Sequence, residues 1–371
     1  MGKTMGECSL NIGDSIQMNQ YEFEQKIVQR YANKRMPLKG IFELTGRCNL
    51  NCKMCYVHTK SNAEFLKEEL DGDWWISQID MACSNGMMFA TLTGGECMLH
   101  PEFKRIYSHL RKLGVFTRIN TNGLLLTDHM VRFLKEDPPF EIQLTLYGAS
   151  DDAYEMVTGF RMFHVVERAI ERVREAGLNI RIAVTPNAFA PAETEKILEY
   201  LNKAQLPYIV NQSLFTPYEN DEAQSISNAE LSIDERIQYL RKIKKEPCVK
   251  RPVSELPPIG GNIQKPIKGI MCGAGRNTFM ITHNGCMQPC LNMYHLRVPV
   301  CTAEDFSSAW NKIVSAADGF MMPVECEGCA YKSVCLSCPV ARSGKVGNGH
   351  CDPDVCEMTR ALVAAGVKTL K

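Results

Sequence analysis

The chain carries no net charge. Its 42 basic residues balance 42 acidic ones, so no bulk field draws it to nucleic acid or to an acidic membrane surface. No apolar run approaches the ~18 residues that a membrane span needs. The first residues, MGKTMGECSLNIGDS, lack both the charged and the apolar regions of a secretory signal, which predicts a cytoplasmic protein. Solenoid repeats and low-complexity tracts are missing as well. What is present is a 371-residue chain that is 45% hydrophobic and 23% charged. That is enough for a sizeable core and too long for one small module.

Cysteine is the residue in excess. There are 17, an odd number in a chain without a secretory signal, which disfavours a disulfide framework and favours metal or redox chemistry. Six lie in the first 247 residues (8, 48, 52, 55, 83, 97) and eleven in the last 124 (248, 272, 286, 290, 301, 326, 329, 335, 338, 351, 356). This asymmetry predicts two differently built regions.

From Gly40 to about Leu214, short β-branched runs alternate with amphipathic stretches. Strands are predicted at Ile41–Thr45, Phe89–Thr93, Val115–Asn120, Glu141–Leu146, Asn179–Thr185 and Tyr208–Leu214. Helices are predicted between them and after the last, at Trp74–Ser84, Glu102–Leu113, Asp128–Lys135, Phe163–Ala176, Glu193–Ala204 and Asp234–Lys245. Six β/α units in sequence imply a parallel sheet with right-handed crossovers, an α/β chain whose natural closure is a partial (β/α)6 barrel. Chemistry in such folds sits at the C-terminal ends of the strands.

Residues 247–268 contain Pro247, Pro252, Pro257, Pro258, Pro266 and Gly260–Gly261, a linker composition. The predicted organisation is therefore an N-terminal extension with a short helix (1–37), a barrel (38–246), a proline-rich linker (247–268) and a small cysteine-rich domain (269–371). Within the last, Asn284–Gly285 between Phe279–Thr282 and Met287–Gln288 reads as a hairpin turn. Thr302–Ser315 reads as a helix. Trp74 and Trp75 are expected to pack the first barrel helix onto the sheet.

The first predicted strand runs into Cys48-x3-Cys52-x2-Cys55. Three thiolates on one loop can hold three corners of a [4Fe–4S] cube, leaving one iron open to a substrate or cofactor. Zinc is the alternative. It would need a fourth ligand, for which His58 is nearby. Further short motifs follow the next three strands: Thr93-Gly94-Gly95-Glu96, Thr121-Asn122-Gly123 and Thr145-Leu146-Tyr147-Gly148. In order, at successive strand ends, these resemble the radical S-adenosylmethionine (SAM) superfamily.

That resemblance implies a cluster on Cys48, Cys52 and Cys55 that binds SAM, with Glu96 receiving the SAM ammonium. Gly94 and Gly95 would allow close approach, Asn122 and Tyr56 would line the cofactor, and Thr145 would lie near its sugar or methionine. Met54 stands where the family usually has an aromatic, and Cys97 where it commonly has proline. Cys97 is either a small buried residue or a hydrogen-donating catalytic thiol near SAM. Arg161 reads as a solvated residue at a helix start or as a contact to the SAM carboxylate.

The later cysteines run Cys272, Gly285-x4-Cys290, Cys326-x2-Cys329-x5-Cys335-x2-Cys338, then Cys351 and Cys356. This resembles the SPASM extension of radical SAM enzymes, although the third inner gap is shorter by one residue. The spacing alone would also suit a four-cysteine zinc site. The resemblance implies two auxiliary [4Fe–4S] clusters, making three in all. Cys326, Cys329 and Cys335 would share the outer one with Cys356 or its rival Cys351. Cys272, Cys290 and Cys338 would hold the inner one, with Cys286, Cys301 or Cys351 as candidates for its fourth ligand, or with that position open to substrate. His350 beside Cys351 is read as a loop residue and Cys8 as a free thiol.

By the same resemblance the chain is an enzyme that cleaves SAM reductively to a 5′-deoxyadenosyl radical and takes a hydrogen atom from a peptide. The outcome would be an oxidative thioether or carbon–carbon crosslink in the maturation of a ribosomally made peptide. Alternatives are a formylglycine-type sulfatase maturase, a peptide epimerase using a spare thiol (Cys97, Cys83, Cys248 or Cys301), a small-molecule enzyme, or a zinc-stabilised scaffold without turnover. Expected partners are the peptide and an electron donor such as flavodoxin or ferredoxin, with no nucleic acid and no membrane. About 37 residues precede the first strand, too few for a winged-helix leader-binding domain. Leader recognition would then use another chain or the barrel itself.

Overall fold

A computed structural model describes residues 20–57, 60–211, 214, 229–245, 272–302, 304–320, 331, 335 and 353–364. Cys8, His58, Cys248, Cys326, Cys329, Cys338, His350, Cys351 and the segment 247–268 lie outside the described residues.

Six parallel strands form the heart of the molecule: β1 (Lys39–Glu43), β2 (Phe89–Thr93), β3 (Phe116–Thr121), β4 (Glu141–Leu146), β5 (Ile180–Val184) and β6 (Tyr208–Val210). They lie side by side in chain order. Between them run α3 (Gly72–Ser84), α4 (Phe103–Lys112), α5 (Asp128–Glu136), α7 (Phe163–Glu175) and α8 (Glu193–Lys203), and α9 (Ile233–Lys245) follows β6. Alternation along the strands explains the layering. Phe42, Ala90, Leu92, Ile119, Ile142, Leu144, Ile180 and Ile182 face the helices. There they meet Trp75 and Ile79 of α3, Ile106 and Leu110 of α4, and Val166, Ile170 and Val173 of α7 in one buried core. The residues between them face the inside of the partial barrel.

The sheet continues beyond the barrel. β7 (Thr278–Ile281) pairs with the free side of β1, parallel to it, with Lys39 beside Thr278 and Phe42 beside Ile281. β8 (Cys286–Gln288) and β9 (Val298–Pro299) then follow antiparallel. The order is β6-β5-β4-β3-β2-β1-β7-β8-β9. The hairpin expected around Asn284–Gly285 is the β7–β8 connection, and Gly285 takes the positive φ of 76° that this turn requires. Among the described residues no helix is long and apolar enough to cross a membrane.

The first and last parts of the fold are clasped together. α1 (Gln20–Lys34) buries Val28 and Ala32, and the Val28 carbonyl accepts the Asn277 side-chain amide at 3.1 Å. Arg35 pairs with Asp318, and its carbonyl accepts the Trp310 indole N–H at 2.9 Å. Both partners lie on α10 (Asp305–Gly319), which extends past the Thr302–Ser315 expectation.

Three short helices were not anticipated: α2 (Asn62–Glu68), α6 (Asp151–Thr158) and α11 (Pro353–Ala364). The signals for two of them are present. Ser61 and Glu64 form a reciprocal capping box ahead of α2. Ser150 caps the start of α6, and Gly159 ends it with φ 80°. The sixth strand stops at Val210, shorter than the expected Tyr208–Leu214.

Phe279 of β7 ties the added hairpin to the barrel. Its ring makes edge contacts with Phe42 (5.9 Å), Phe306 (5.3 Å) and Trp310 (6.2 Å) and is fully buried. Phe279→Ala should destabilise the chain by ~3–5 kcal/mol, read from the shift of the denaturant midpoint at constant slope.

Candidate active site

The loop after β1 carries Cys48, Cys52 and Cys55. It is fixed by backbone contacts to three neighbours. The β2 loop continues the sheet's pairing past its last strand residue: Gly95 N–H donates to the Thr45 carbonyl and Glu96 N–H to the Arg47 carbonyl, both at 2.8 Å. This approach demands glycine. A Cβ on Gly94 would lie 2.4 Å from the Thr45 oxygen, and one on Gly95 2.3 Å from the Arg47 oxygen. Gly94 also has φ +145°. The Arg47 side chain locks the same turn through two bonds to Glu69 (3.0 and 2.8 Å) and one to the Leu99 carbonyl (2.8 Å).

Asn62 of α2 clamps Cys48 from a second side, accepting its N–H at 3.0 Å and donating to its carbonyl at 2.9 Å. From a third side, Asn51 N–H and Lys53 N–H donate to the Thr158 and Val157 carbonyls at the end of α6, both at 3.0 Å. Met54 fills an apolar niche with Val157, Ala190 and Ala229, against which Cys52 and Tyr147 also pack. The residue that departs from the family pattern thus anchors the loop.

Donors converge on the thiols. Cys48 Sγ accepts from Leu50 N–H at 3.4 Å and faces the Asn122 amide at 3.7 Å, and the Tyr147 hydroxyl bonds Cys52. Burial pushes the Cys48 thiol up to about 12, with the charges of Glu96 and Cys55 adding to it, while Leu50 and Asn122 oppose the rise. Cys52 is pushed up by burial and then by Cys55 and Cys48. The Tyr56 and Tyr147 hydroxyls are raised by burial first. Glu43 adds to the first and the loop cysteines to the second. Three half-buried thiols that repel one another as thiolates, with N–H and O–H groups aimed at the sulfurs of Cys48 and Cys52, suit a cationic iron cluster that would stabilise the ionised form.

Glu96 is 1% exposed, and its hydrogen-bond partners are neutral. One carboxylate oxygen accepts the Thr121 hydroxyl at 2.8 Å and Asn122 N–H at 2.9 Å. The other accepts Met98 N–H at 3.2 Å. Burial raises its pKa, opposed by these donors. Asn122 therefore spans the site: its backbone holds Glu96, and its side chain reaches Cys48 and Asn49 (2.7 Å). Thr145 stands at the end of β4, in register with Ala183 of β5 and on the same strand face as Tyr147.

One proposed residue lies apart from this group, and a second is buried against it. Arg161 is a surface residue, 55% exposed, paired with Asp152 and Glu155 of α6. Its own carboxylates occupy it, in keeping with the solvated reading and against a role on SAM. Cys97 is 0% exposed in the main buried core, and its thiol donates to the Asn120 carbonyl at 3.4 Å. Its Sγ also lies 3.8 Å from Glu96 Oε1, in contact with the buried carboxylate.

Of the later cysteines, Cys290 packs with Ala274, Met293 and Ala317. Cys272 is exposed just before the turn that opens β7. Burial raises the Cys286 thiol, opposed by Arg297 and reinforced by the charge of Cys301. Cys335 Sγ accepts the Thr359 hydroxyl at 3.5 Å, one helical turn from Cys356 on α11. The structure thereby brings Cys335 to the helix bearing Cys356.

Two buried polar groups went unnoticed in the sequence. His283 Nδ1 meets Glu43 at 2.9 Å, joining the hairpin turn to the end of β1. Arg118, Glu141 and Arg181 form an ion cluster on the inner face of β3, β4 and β5. Neither has a local signature, although a charged residue inside each predicted strand was the available hint.

Residues 42–189 match the model of the radical SAM superfamily. The sporulation killing factor maturation protein SkfB of Bacillus subtilis is 29% identical over 167 residues, covering 44% of this chain and 39% of that protein. The PqqA peptide cyclase of Xanthomonas axonopodis pv. citri is 24% identical over 348 residues, covering 86% of this chain and 88% of that one. Among solved structures, Streptococcus suis SuiB bound to its precursor peptide SuiA superimposes with a TM-score of 0.65 at 16% identity, over 94% of this chain and 83% of that one. Native anSMEcpe with bound AdoMet and Kp18Cys peptide does so with a TM-score of 0.67 at 18% identity, over 89% and 97%. The last two likenesses show a shared fold.

The close contact at Gly95 gives a direct test of the site. Gly95→Ala should part the two loops and lower SAM affinity by roughly tenfold or more, given a backbone clash of this depth, measured by equilibrium binding to the anaerobically reconstituted protein. The matched residues carry the cysteine loop, the Gly94–Gly95–Glu96 turn and Asn122, so the part of the chain that is similar to the radical SAM superfamily is the part that builds this site.

Proposed function

We propose that the chain modifies a peptide, abstracting a hydrogen atom and closing an oxidative thioether or carbon–carbon crosslink. The observation that carries this reading is the single hydrogen-bonded unit Cys48–Asn122–Glu96. It sets a buried carboxylate suited to the SAM ammonium beside a loop suited to the cluster. When bound, the cluster and SAM supply an electron and a 5′-deoxyadenosyl radical. The chain's own residues bind, orient and shield. Cys48, Cys52 and Cys55 would ligate the cluster, and Leu50, Asn122 and Tyr147 would hydrogen-bond its sulfurs. Glu96 would hold the ammonium, and Gly94 and Gly95 would keep the two loops in contact. Tyr56 and Thr145 would line the cofactor.

The peptide substrate is supported by the names of the similar proteins, a peptide cyclase and enzymes captured with peptides. Two auxiliary clusters in the C-terminal region would accept the electron that substrate oxidation releases. Cys335 and Cys356 would share the outer cluster with Cys326 and Cys329. Cys272, Cys290 and Cys338 would hold the inner one. The complete burial of Cys97 favours crosslinking over epimerisation, since the latter needs a hydrogen-donating thiol that the substrate can reach. An electron donor of the flavodoxin or ferredoxin type completes the scheme.

Anaerobically purified protein should carry about twelve irons, four per cluster, and release 5′-deoxyadenosine when given SAM and a strong reductant. Replacing Cys48, Cys52 and Cys55 together by alanine should remove about a third of the iron and all of the 5′-deoxyadenosine. Stoichiometric zinc in place of iron, or no product from iron-loaded protein, would end this reading. Glu96→Gln removes a buried charge-assisted contact and should weaken SAM binding by roughly 10- to 100-fold, read by equilibrium binding. A crosslinked product would show a loss of two hydrogens in the mass of a co-expressed candidate peptide.

A further inference from the structure

The inner face of the barrel carries a surplus of buried positive charge. Arg118 on β3 pairs in register with Glu141 on β4, and Arg181 on β5 with Gln143 on β4. The residues alternating with them, Ile119, Ile142, Ile180 and Ile182, belong to the helix-side core. The charged side chains therefore point inward. One oxygen of Glu141 serves both guanidinium groups, at 2.6 Å from Arg181 Nη2 and 2.8 Å from Arg118 Nε. Arg181 and Glu141 are only 8% and 4% exposed, Arg118 31%.

Among the described residues, two cations on one carboxylate leave one positive charge uncompensated, and such a charge away from water is costly unless a partner arrives. Burial pulls the Arg118 guanidinium below its ordinary range. Glu141 offsets part of this and Arg181 adds to it. Hydrogen-bonding capacity is also left over. Among the described residues the buried Nε atoms of Arg118 and Arg181 find no well-aligned acceptor, and the buried Oδ1 of Asn120, which neighbours Gln143 in register, finds no donor.

The depth of the cluster is telling. Arg181 lies at the level of Gln143, two residues below Thr145, so about 7 Å beneath the strand ends where SAM would sit. Below it, the stacked rings of Phe89 and Phe116 (5.3 Å) lie at the N-terminal ends of β2 and β3.

We propose that Arg118 and Arg181 form a carboxylate-binding site for the substrate peptide, which takes an Asp or Glu side chain, or the peptide's C-terminus, into the barrel beneath SAM. This rests on the peptide-modifying reading. A planar guanidinium with a free edge is matched to a carboxylate. The occupant neutralises the surplus charge and supplies the missing acceptor for Arg181 Nε. Its residue is then held at a fixed depth, which selects the neighbouring position that meets the radical.

The test is affinity selection of random short peptides, amidated at the C-terminus, on the full-length, cluster-loaded, SAM-bound protein, with sequencing by mass spectrometry. Acidic residues should be enriched about tenfold over the input, the scale of one buried charge-assisted contact. Arg181→Gln should bring that ratio back to the input value. Glu141→Gln leaves two guanidinium groups without a carboxylate and should raise it. Iron content and thermal midpoint report whether each variant is folded, and the Glu141→Gln arm stands alone if Arg181→Gln is not.

A parallel library with free C-termini separates the two sources. Enrichment there without internal acidic residues assigns the site to the terminal carboxylate. Absence of any carboxylate preference in either library, or a preference that survives Arg181→Gln and Arg118→Gln, overturns the proposal. Because selection reads binding rather than turnover, a wild-type protein that makes no 5′-deoxyadenosine sinks the functional reading separately.

Discussion

Everything at the strand ends depends on two backbone segments lying closer than side chains would allow. The Gly94–Gly95 pair lets the β2 loop donate directly to the carbonyls of Thr45 and Arg47. Glu96 follows at once, so its burial and orientation are set by main-chain geometry before any side-chain preference acts. The loop with the three thiols is held by the same contacts. A site built this way has little freedom to relax, which is what a reaction proceeding through a reactive intermediate requires.

A second theme is continuity between the barrel and the region that carries most of the cysteines. β7 is a full neighbour of β1, and Phe279 inserts between elements from both halves. The buried Glu43–His283 pair sits where the end of β1 meets the hairpin turn, with Tyr56 of the cysteine loop close enough to feel Glu43. Trp74 adds a third link: its indole N–H donates to the Cys301 carbonyl at 3.3 Å. Displacement of the hairpin would therefore be felt at the base of the first loop.

Much of this was readable in the sequence because it is local. The strands Phe89–Thr93 and Glu141–Leu146 match the expectation at both ends, since alternation and flanking turns are short-range signals. The cysteine loop and the glycine pair are legible for the same reason. What was not readable involves partners far apart. Glu43 and His283 are separated by 240 positions, and Arg181 finds Glu141 only through strand order. Arg161 shows the opposite case. Its place at a helix start allows a solvated or a cofactor-facing side chain, and two carboxylates on the adjoining helix hold the guanidinium at the surface. The short helices α2 and α6 were legible through their caps and too brief for a periodicity argument.

The place of β1 has a consequence for how the chain is made. Among the described residues it is the earliest strand in chain order, yet it ends in the middle of the sheet, between β2 and β7. Its second neighbour is delivered more than 230 residues later, and contacts of such long range form late. Until Thr278–Ile281 emerges, the strand that feeds the cysteine loop has one bare edge and Glu43 has no imidazole. The nascent chain thus passes through a stage in which the barrel's repeating units exist but the strand beneath the cysteine loop is supported on one side only. That interval is when the exposed edge is most vulnerable to mispairing and the thiols to oxidation.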